Sequence, residues 1–276
     1  MFRTILVHVD SLAASNARTR LAIDLALKFD ATLIGFTAAL PRLPLELYDA
    51  ALGTAAIGPD YGDIDRTELE AEFATSRETF TAATNAAGVK SGWREAFSPP
   101  SIAIAGAATA ADLVVLGSGE RSQLGNLSGP SADDVLLRIG RPVLVVPAAY
   151  VGTDLGTIVV AWKNTPESQR ALSDAVPFMK AAAKIVIFSI QEGDEADPSL
   201  ADAAGFLSRH GIAATTEIRR RGRATVEDEV LDFATRQQAG LIVAGAYGHA
   251  RLREWVFGGV TRGLLSRSPV PCLFSH

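Results

Sequence analysis

The chain has a single cysteine, no long apolar run and no excess of positive charge. Cys272 has no partner for a disulfide within the chain, and its strand-like surroundings predict a small buried hydrophobic side chain. The net charge of −5 and the pI near 5.4 give no electrostatic basis for binding nucleic acid or an anionic membrane. No run approaches membrane-spanning length, and the start Met1-Phe2-Arg3 lacks a signal-peptide core. These absences predict a soluble cytoplasmic protein.

Signatures of catalysis are also missing. The sequence has no Ser-His-Asp elbow, no cysteine–histidine spacing typical of a metal site, and no Walker loop with its Lys-Ser/Thr ending. An enzyme would need a general base and a metal-holding carboxylate beside the binding loop, and the second half of the chain offers neither clearly. We therefore expect no catalytic residues and no metal ligands.

The chain contains one pattern twice, which predicts two domains. Each half opens with a short apolar strand that enters a polar loop, Ile5–Asp10 and Ile158–Lys163, and each closes with a strand that contains or follows proline. The length of 276 residues and the hydrophobic content of 48% allow a core in each half. We place the domains at 1–149 and 150–276. The first carries an insertion at about 40–65 that could cover a pocket, a dimer face or a sheet edge.

Most predicted strands are apolar on both faces, which is typical of a parallel sheet covered by helices on both sides. The fold class is therefore α/β. Helices are predicted between the strands, including a long one at about Thr67–Ala87. Another is predicted over Pro166–Met179, where Thr165 offers an N-cap and Pro166 suits the first helical turn.

The most informative segment lies near the end of the chain. A predicted strand, Leu241–Ala244, runs into Gly245, and Gly258-Gly259-Val260-Thr261 then opens a predicted helix. Glycines at a strand-to-helix junction let backbone N–H groups approach an anion, and the helix adds the positive end of its dipole. The carboxyl ends of parallel strands are where such sheets bind ligands. The pattern therefore indicates a phosphate-binding loop.

These features resemble the universal stress protein family in its tandem two-domain form, over nearly the whole chain. The strand-one openings and the spacing Gly245-x-x-Gly248-(nine residues)-Gly258 carry the resemblance. It implies two open parallel five-stranded sheets, each of strand order 3-2-1-4-5, whose last strands pair antiparallel. In a tandem chain that pairing gives an intrachain pseudo-dimer, and a further homodimer stays open. It also implies an ATP site, with Mg²⁺ if ATP is bound. There the loop and a following hydroxyl hold the phosphates, and an aspartate after strand one helps to hold the adenosine.

The second half departs from the ATP-binding pattern at two positions. Gly259 stands where the pattern has Ser or Thr, although Thr261 could supply the hydroxyl. Lys163 stands at the aspartate position, where an ammonium cannot accept a ribose hydrogen bond but could meet a phosphate. The candidate nucleotide-binding residues all belong to this half: Ala161, Lys163, Gly245, Ala246, Gly248, His249, Gly258, Gly259, Val260 and Thr261.

The first half shows the opposite departure. It keeps Asp10, either as a ribose partner or as a helix cap. Its loop has Glu120 in place of the second glycine, and Pro130 lacks a donor N–H. Asp133 and Asp134, in the helical turn that follows, would repel a phosphate. We therefore interpret the first half as the copy that does not bind.

Three functions follow as hypotheses. The first is a stress-response binding or signalling protein that holds an adenine nucleotide weakly in its second half and acts on an unidentified protein partner. The second is a slow metal-dependent ATP hydrolase. The third is a structural or interaction protein with an empty site, whose glycines serve only close packing of strand against helix.

Overall fold

The structure is a computed structural model that describes residues 1–40, 60–118, 129–152, 154–191, 197–247 and 259–276. The strands of the first half are β1 (Thr4–His8), β2 (Thr32–Ala39), β3 (Ser91–Phe97), β4 (Leu113–Gly117) and β5 (Val143–Val146). Those of the second half are β6 (Thr157–Trp162), β7 (Lys184–Gln191), β8 (Thr215–Arg220), β9 (Leu241–Gly245) and β10 (Cys272–Ser275).

Helices alternate with these strands. They are α1 (Ala13–Phe29), α2 (Asp60–Ala87), α3 (Pro100–Ala107), α4 (Ala132–Leu136), α5 (Pro166–Asp174), α6 (Val176–Met179), α7 (Ser199–Arg209), α8 (Val226–Arg236) and α9 (Gly259–Arg267), with a 3₁₀ turn at Ala108–Ala110. None of the described helices is long and apolar enough to cross a membrane.

The strands form one ten-stranded sheet in the order β3-β2-β1-β4-β5-β10-β9-β6-β7-β8. Within each half the pairs are parallel and follow the predicted order 3-2-1-4-5, so the predicted fold class is confirmed. The two halves meet where β5 pairs antiparallel with β10, with Leu144 opposite Leu273 and Val143 opposite Phe274. We call this pair of strands the seam. The predicted pairing of the last strands is therefore made inside one chain.

Two apolar layers cover the sheet, one on each face. Alternation along the strands sends Ile5 and Val7 of β1 into one layer and Leu6 into the other. Both layers cross the seam, because Leu144 and Leu273 belong to the first layer and Cys272 belongs to the second. Cys272 is buried, as predicted, and burial raises the pKa of its thiol to about 12.

An aromatic cluster joins the halves on the first of these faces. Phe2 of the first half lies with its ring centroid 5.2 Å from that of Phe29 and 5.3 Å from that of Phe178 in α6. Phe29 and Phe178 complete the triangle at 5.5 Å. Because all three rings are buried, this contact adds apolar area to the hydrogen bonds of the seam.

Two predicted helices differ from those observed. The helix predicted over Pro166–Met179 is two helices, since Pro177 has no N–H to donate and its ring clashes with the preceding turn. The long helix of the first half begins at Asp60 rather than Thr67, so the end of the predicted insertion is helical. The rest of that insertion, residues 41–59, lies outside the described residues.

Candidate functional site

A cavity of about 510 Å³ opens at the carboxyl ends of β6, β7 and β9 in the second half. Its walls come from these three strands, from the first turns of α5, α8 and α9, and from the loops between them. The described residues that line it are Ala161, Trp162, Lys163, Thr165, Ser168, Phe188, Ser189, Ile190, Gln191, Asp197, Arg221, Val226, Val230, Ala244, Gly245, Tyr247, Gly259, Val260 and Thr261. We call it the second-half cavity.

One wall of this cavity is apolar. Phe188 and Ile190 point to it from β7, and Val226 and Val230, four residues apart on α8, face it from the helix. The ring of Phe188 is held in place because it stacks on Phe233 at a centroid distance of 4.0 Å. The wall is therefore a fixed apolar surface suited to a flat ligand group.

The mouth of the cavity is polar and carries charges of both signs. Among the described residues, Lys163 and Arg221 bring positive charge to the mouth and Asp197 brings a carboxylate. Thr165 caps α5 by accepting a hydrogen bond from the Ser168 N–H at 3.3 Å, which places both hydroxyls beside the cavity. Four arginines lie close together at positions 219, 220, 221 and 223, and two of them take different places: Arg221 lines the cavity, whereas Arg219 lies over the Phe188 ring.

A buried amide also borders the cavity. The Nε2 atom of Gln191, at the end of β7, is buried and has no hydrogen-bond partner among the described residues. A buried donor without an acceptor costs about 1–3 kcal/mol. A ligand that offered an acceptor at this end of the cavity would relieve that cost.

The structure brings most of the predicted site residues together. Ala161, Lys163, Gly245, Gly259, Val260 and Thr261 line the second-half cavity. Ala246 does not: it is fully buried, and its N–H donates to the Ser275 carbonyl at 2.9 Å. That N–H is therefore committed to β10 and is not available to an anion. Gly248, His249 and Gly258 lie outside the described residues.

Gly245 has a packing role that the sequence did not distinguish from anion binding. A Cβ atom there would lie 2.5 Å from the Ser168 nitrogen and 2.7 Å from the Glu167 carbonyl carbon. Both are backbone atoms of the first turn of α5, which cannot move away as a flexible side chain can. Glycine at this position thus lets α5 approach the end of β9, which also brings Ser168 to the cavity.

The first turn of α9 has a hydroxyl on one side and a carboxylate on the other. Thr261 is 4% exposed, and its Oγ1 accepts a hydrogen bond from the Tyr247 N–H at 3.4 Å. Glu227 lies across α9, where its carboxylate oxygens are 3.7 Å from the position of a Cβ on Gly259. Arg267 lies 3.7 Å from that carboxylate and offsets its charge.

Sequence reasoning missed the side chain of Tyr247 and the apolar wall. The wall is assembled from β7 and α8, which are distant in sequence from the glycine loop. The sequence did contain a signal for the helical part of this wall. Val226 and Val230 are four residues apart, directly after the N-cap Thr225, and so lie on one face of the helix. Tyr247 sits next to the predicted loop glycines, and its neighbours across the seam cannot be identified from sequence.

The first half has a much smaller cavity at the equivalent place. Its volume is about 30 Å³, enough for about one water molecule. Arg18 of α1 crosses it: the guanidinium donates to the Asp10 carboxylate at 2.9 Å and to the His8 carbonyl at 2.6 Å. A Cβ on Gly117 would lie 2.3 Å from Arg18 Nη1. Asp10 also accepts from the Leu12 N–H, so it serves the start of α1 as well as the ion pair.

His8 is buried beside this pair. Burial lowers the pKa of His8 from 6.5 to about 3; the Arg18 charge adds to the shift and the Asp10 charge opposes it. The imidazole is therefore neutral at neutral pH. Across the part of the chain that the structure describes, no group of three or more His, Cys, Asp or Glu side chains is arranged to hold a metal ion.

Comparison with known proteins gives one consistent result. The family profile described as Universal stress protein family matches residues 1–147 and 155–276. No curated protein matches the chain significantly. A universal stress protein from Archaeoglobus fulgidus DSM 4304 superposes with a TM-score of 0.73 at 18% identity, over 98% of this chain and 94% of that one.

Two Pseudomonas aeruginosa structures are similar over the same extent. One, from strain UCBPP-PA14, has a TM-score of 0.60 at 16% identity, and the other, a functionally unknown protein from strain PAO1, has 0.59 at 17%. Both alignments cover 99% of this chain and 92% of the other. At identities of 16–18%, these similarities show that the chain shares the fold of the three proteins and nothing more. Because the family profile matches twice and the two matches span nearly the whole sequence, the chain belongs to the universal stress protein family and contains two copies of its domain in tandem.

Proposed function

We propose that this universal stress protein binds an adenine nucleotide, ATP with Mg²⁺, in its second-half cavity and acts as a binding or signalling protein. The observation that carries the proposal is the composition of that cavity. A single space of about 510 Å³ combines an apolar wall, two cations and the first turn of α9. A ligand that satisfies all three has a flat apolar group at one end and phosphates at the other.

The apolar wall suits the base. A purine lying against this wall, which is formed by Phe188, Ile190, Val226 and Val230, would remove apolar surface from water, worth about 25 cal/mol per Å². The Gln191 amide stands at the end of β7, where a base offers hydrogen-bond acceptors.

The phosphates belong at the other end. The N–H groups of residues 259–261 are in the first turn of α9, where the helix dipole favours an anion. Thr261 carries the hydroxyl that Gly259 lacks: its oxygen accepts from the Tyr247 N–H, and no described residue accepts its proton, so the hydroxyl can donate to a phosphate. Lys163 and Arg221 add positive charge. Glu227 opposes them, which favours weak binding.

The ribose finds its acceptor on a different element from the one that the family resemblance implied. Lys163 replaces the aspartate after the first strand of this half and cannot accept a hydrogen bond. Asp197 lines the same mouth and is held by the Ser199 N–H at 2.9 Å, which uses only part of its acceptor capacity. We assign Asp197 as the ribose partner.

The first half contrasts with the second. Among the residues that the structure describes there, Arg18 crosses a cavity of about 30 Å³, which is too small for a nucleotide. In this proposal the first half therefore binds no nucleotide and contributes through its packing against the second half.

The test is calorimetric titration of ATP, with and without magnesium, into wild type, Lys163→Glu and Lys180→Glu. Both lysines are exposed, but only Lys163 lines the cavity, so the second variant controls for the change in net charge. Lys163→Glu should weaken binding about tenfold, equivalent to about 1.4 kcal/mol, while Lys180→Glu should match wild type. No heat from wild type at concentrations able to detect about 100 μM affinity would refute the proposal.

A further inference from the structure

Tyr247 has a backbone conformation that is rare for a residue with a side chain. Its φ is +59°, in the left-handed region that glycine adopts without cost and a tyrosine adopts at about 1–3 kcal/mol. Two other described residues, Asp30 and Gln238, share a positive φ, but both stand at helix carboxyl ends, where this conformation satisfies the last carbonyls. Tyr247 follows a strand. Glycine at this position would avoid the cost but would lack the side chain.

The side chain reaches across the seam. The Tyr247 hydroxyl donates a hydrogen bond to Oδ1 of Asp133, in the first turn of α4 in the first half. Burial raises the pKa of the phenol, and the Asp133 carboxylate raises it further, so the group stays protonated and remains the donor. The ring also contacts His276 edge-on, at a centroid distance of 6.0 Å.

The same residue faces the ligand site. Tyr247 lines the second-half cavity, and its N–H donates to the Thr261 hydroxyl at 3.4 Å. Its backbone thus contacts the residue that we assign to the phosphates, while its side chain contacts the other half of the molecule. A shift of Thr261 or of the ring on ligand binding would change the bond to Asp133.

We propose that the second-half cavity is a composite of both halves, in which Asp133 is a positioning residue that holds Tyr247 on the cavity wall and transmits occupancy to α4. This inference rests on the proposed nucleotide site. It also assigns Asp133 a role different from the repulsion of a phosphate in its own half, because its carboxylate is directed to the second half. By linkage, if nucleotide binding changes the affinity of α4 for a partner by some factor, that partner changes the affinity for the nucleotide by the same factor.

The experiment combines a double-mutant cycle with hydrogen exchange. ATP affinity is measured for Tyr247→Phe, Asp133→Ala, the double variant, Asp133→Asn and Asp134→Ala. Asp134 is the matched control, because it lies in the same turn but pairs with Arg138 at 2.7 Å. Each single variant of the bonded pair should weaken ATP binding about three- to tenfold, and the double variant no more than one of them. Asp133→Asn keeps an acceptor oxygen and should recover most of the affinity.

The hydrogen-exchange arm separates positioning from simple structural support. Adding ATP to wild type should slow amide exchange in residues 131–137, and this response should be lost in Tyr247→Phe and kept in Asp134→Ala. Wild type that binds ATP with no change in these residues, or losses of affinity that add in the double variant, would overturn the inference alone. Wild type that binds no ATP would overturn the proposed nucleotide site, and the inference with it.

Discussion

The buried His8 should make the stability of the protein depend on pH. Its pKa is 6.5 when exposed and about 3 in the fold, so between these values the unfolded state binds more protons than the folded state. The free energy of unfolding therefore rises with pH across this window. The contribution of His8 to that free energy is lost progressively as the pH falls from 6.5 towards 3. Each pH unit in the window is worth about 1.4 kcal/mol, which gives a loss of about 2 kcal/mol at pH 5 relative to pH 8.

The assay is urea unfolding at pH 8 and pH 5 for wild type and His8→Asn. Asparagine does not titrate, and its side-chain oxygen can take the place of Nδ1, which faces the Arg18 guanidinium at 3.5 Å. The difference in stability between the two pH values should be smaller in the variant by about 2 kcal/mol. His210→Asn, at an exposed histidine, controls for the removal of one imidazole. A folded-state His8 resonance that titrates near pH 6 by NMR would refute the reasoning.

Two further predictions concern packing. Gly245→Ala places a Cβ 2.5 Å from the Ser168 nitrogen and should lower the free energy of unfolding by about 1–3 kcal/mol. The control is Gly106→Ala on α3: Gly106 is exposed, a Cβ there would have no atom within 4 Å, and the change should be neutral or slightly stabilising. Equal effects of the two changes in urea unfolding would contradict the packing role of Gly245. Phe178→Ala removes the second-half member of the aromatic cluster and should cost about 3–5 kcal/mol. A loss below about 1 kcal/mol would show that the cluster does not hold the halves together.

Local sequence patterns were sufficient to predict the α/β fold class and the two domains. Apolar strands that end in glycine, helix caps such as Thr165, and the duplication itself are all readable along the chain. The strand order came with the family resemblance. The break at Pro177 was also readable in principle, because proline inside a helix removes a backbone donor.

The site was only partly predictable. The loop residues and Lys163 were identified because they are close in sequence to recognisable strands. The role of Gly245 was not, since a glycine at a strand end fits an anion and a tightly packed helix equally well. Arg18 was missed because it reaches back across the sheet edge from the second turn of α1, and the Tyr247–Asp133 bond joins residues 114 apart. The second of these contacts depends on how the two halves pack at the seam, which local sequence patterns do not specify.

The seam joins two surfaces that belong to one chain. A tether of this kind keeps its ends at an effective concentration in the millimolar range, whatever the concentration of the protein. The pairing of β5 with β10 therefore does not weaken on dilution, as it would between separate subunits. Nor must its two strands remain alike, since Val145 on one side can face Cys272 on the other. Covalent fusion thus frees the two copies from the symmetry of a homodimer, so that the cavity of one copy can differ from that of the other.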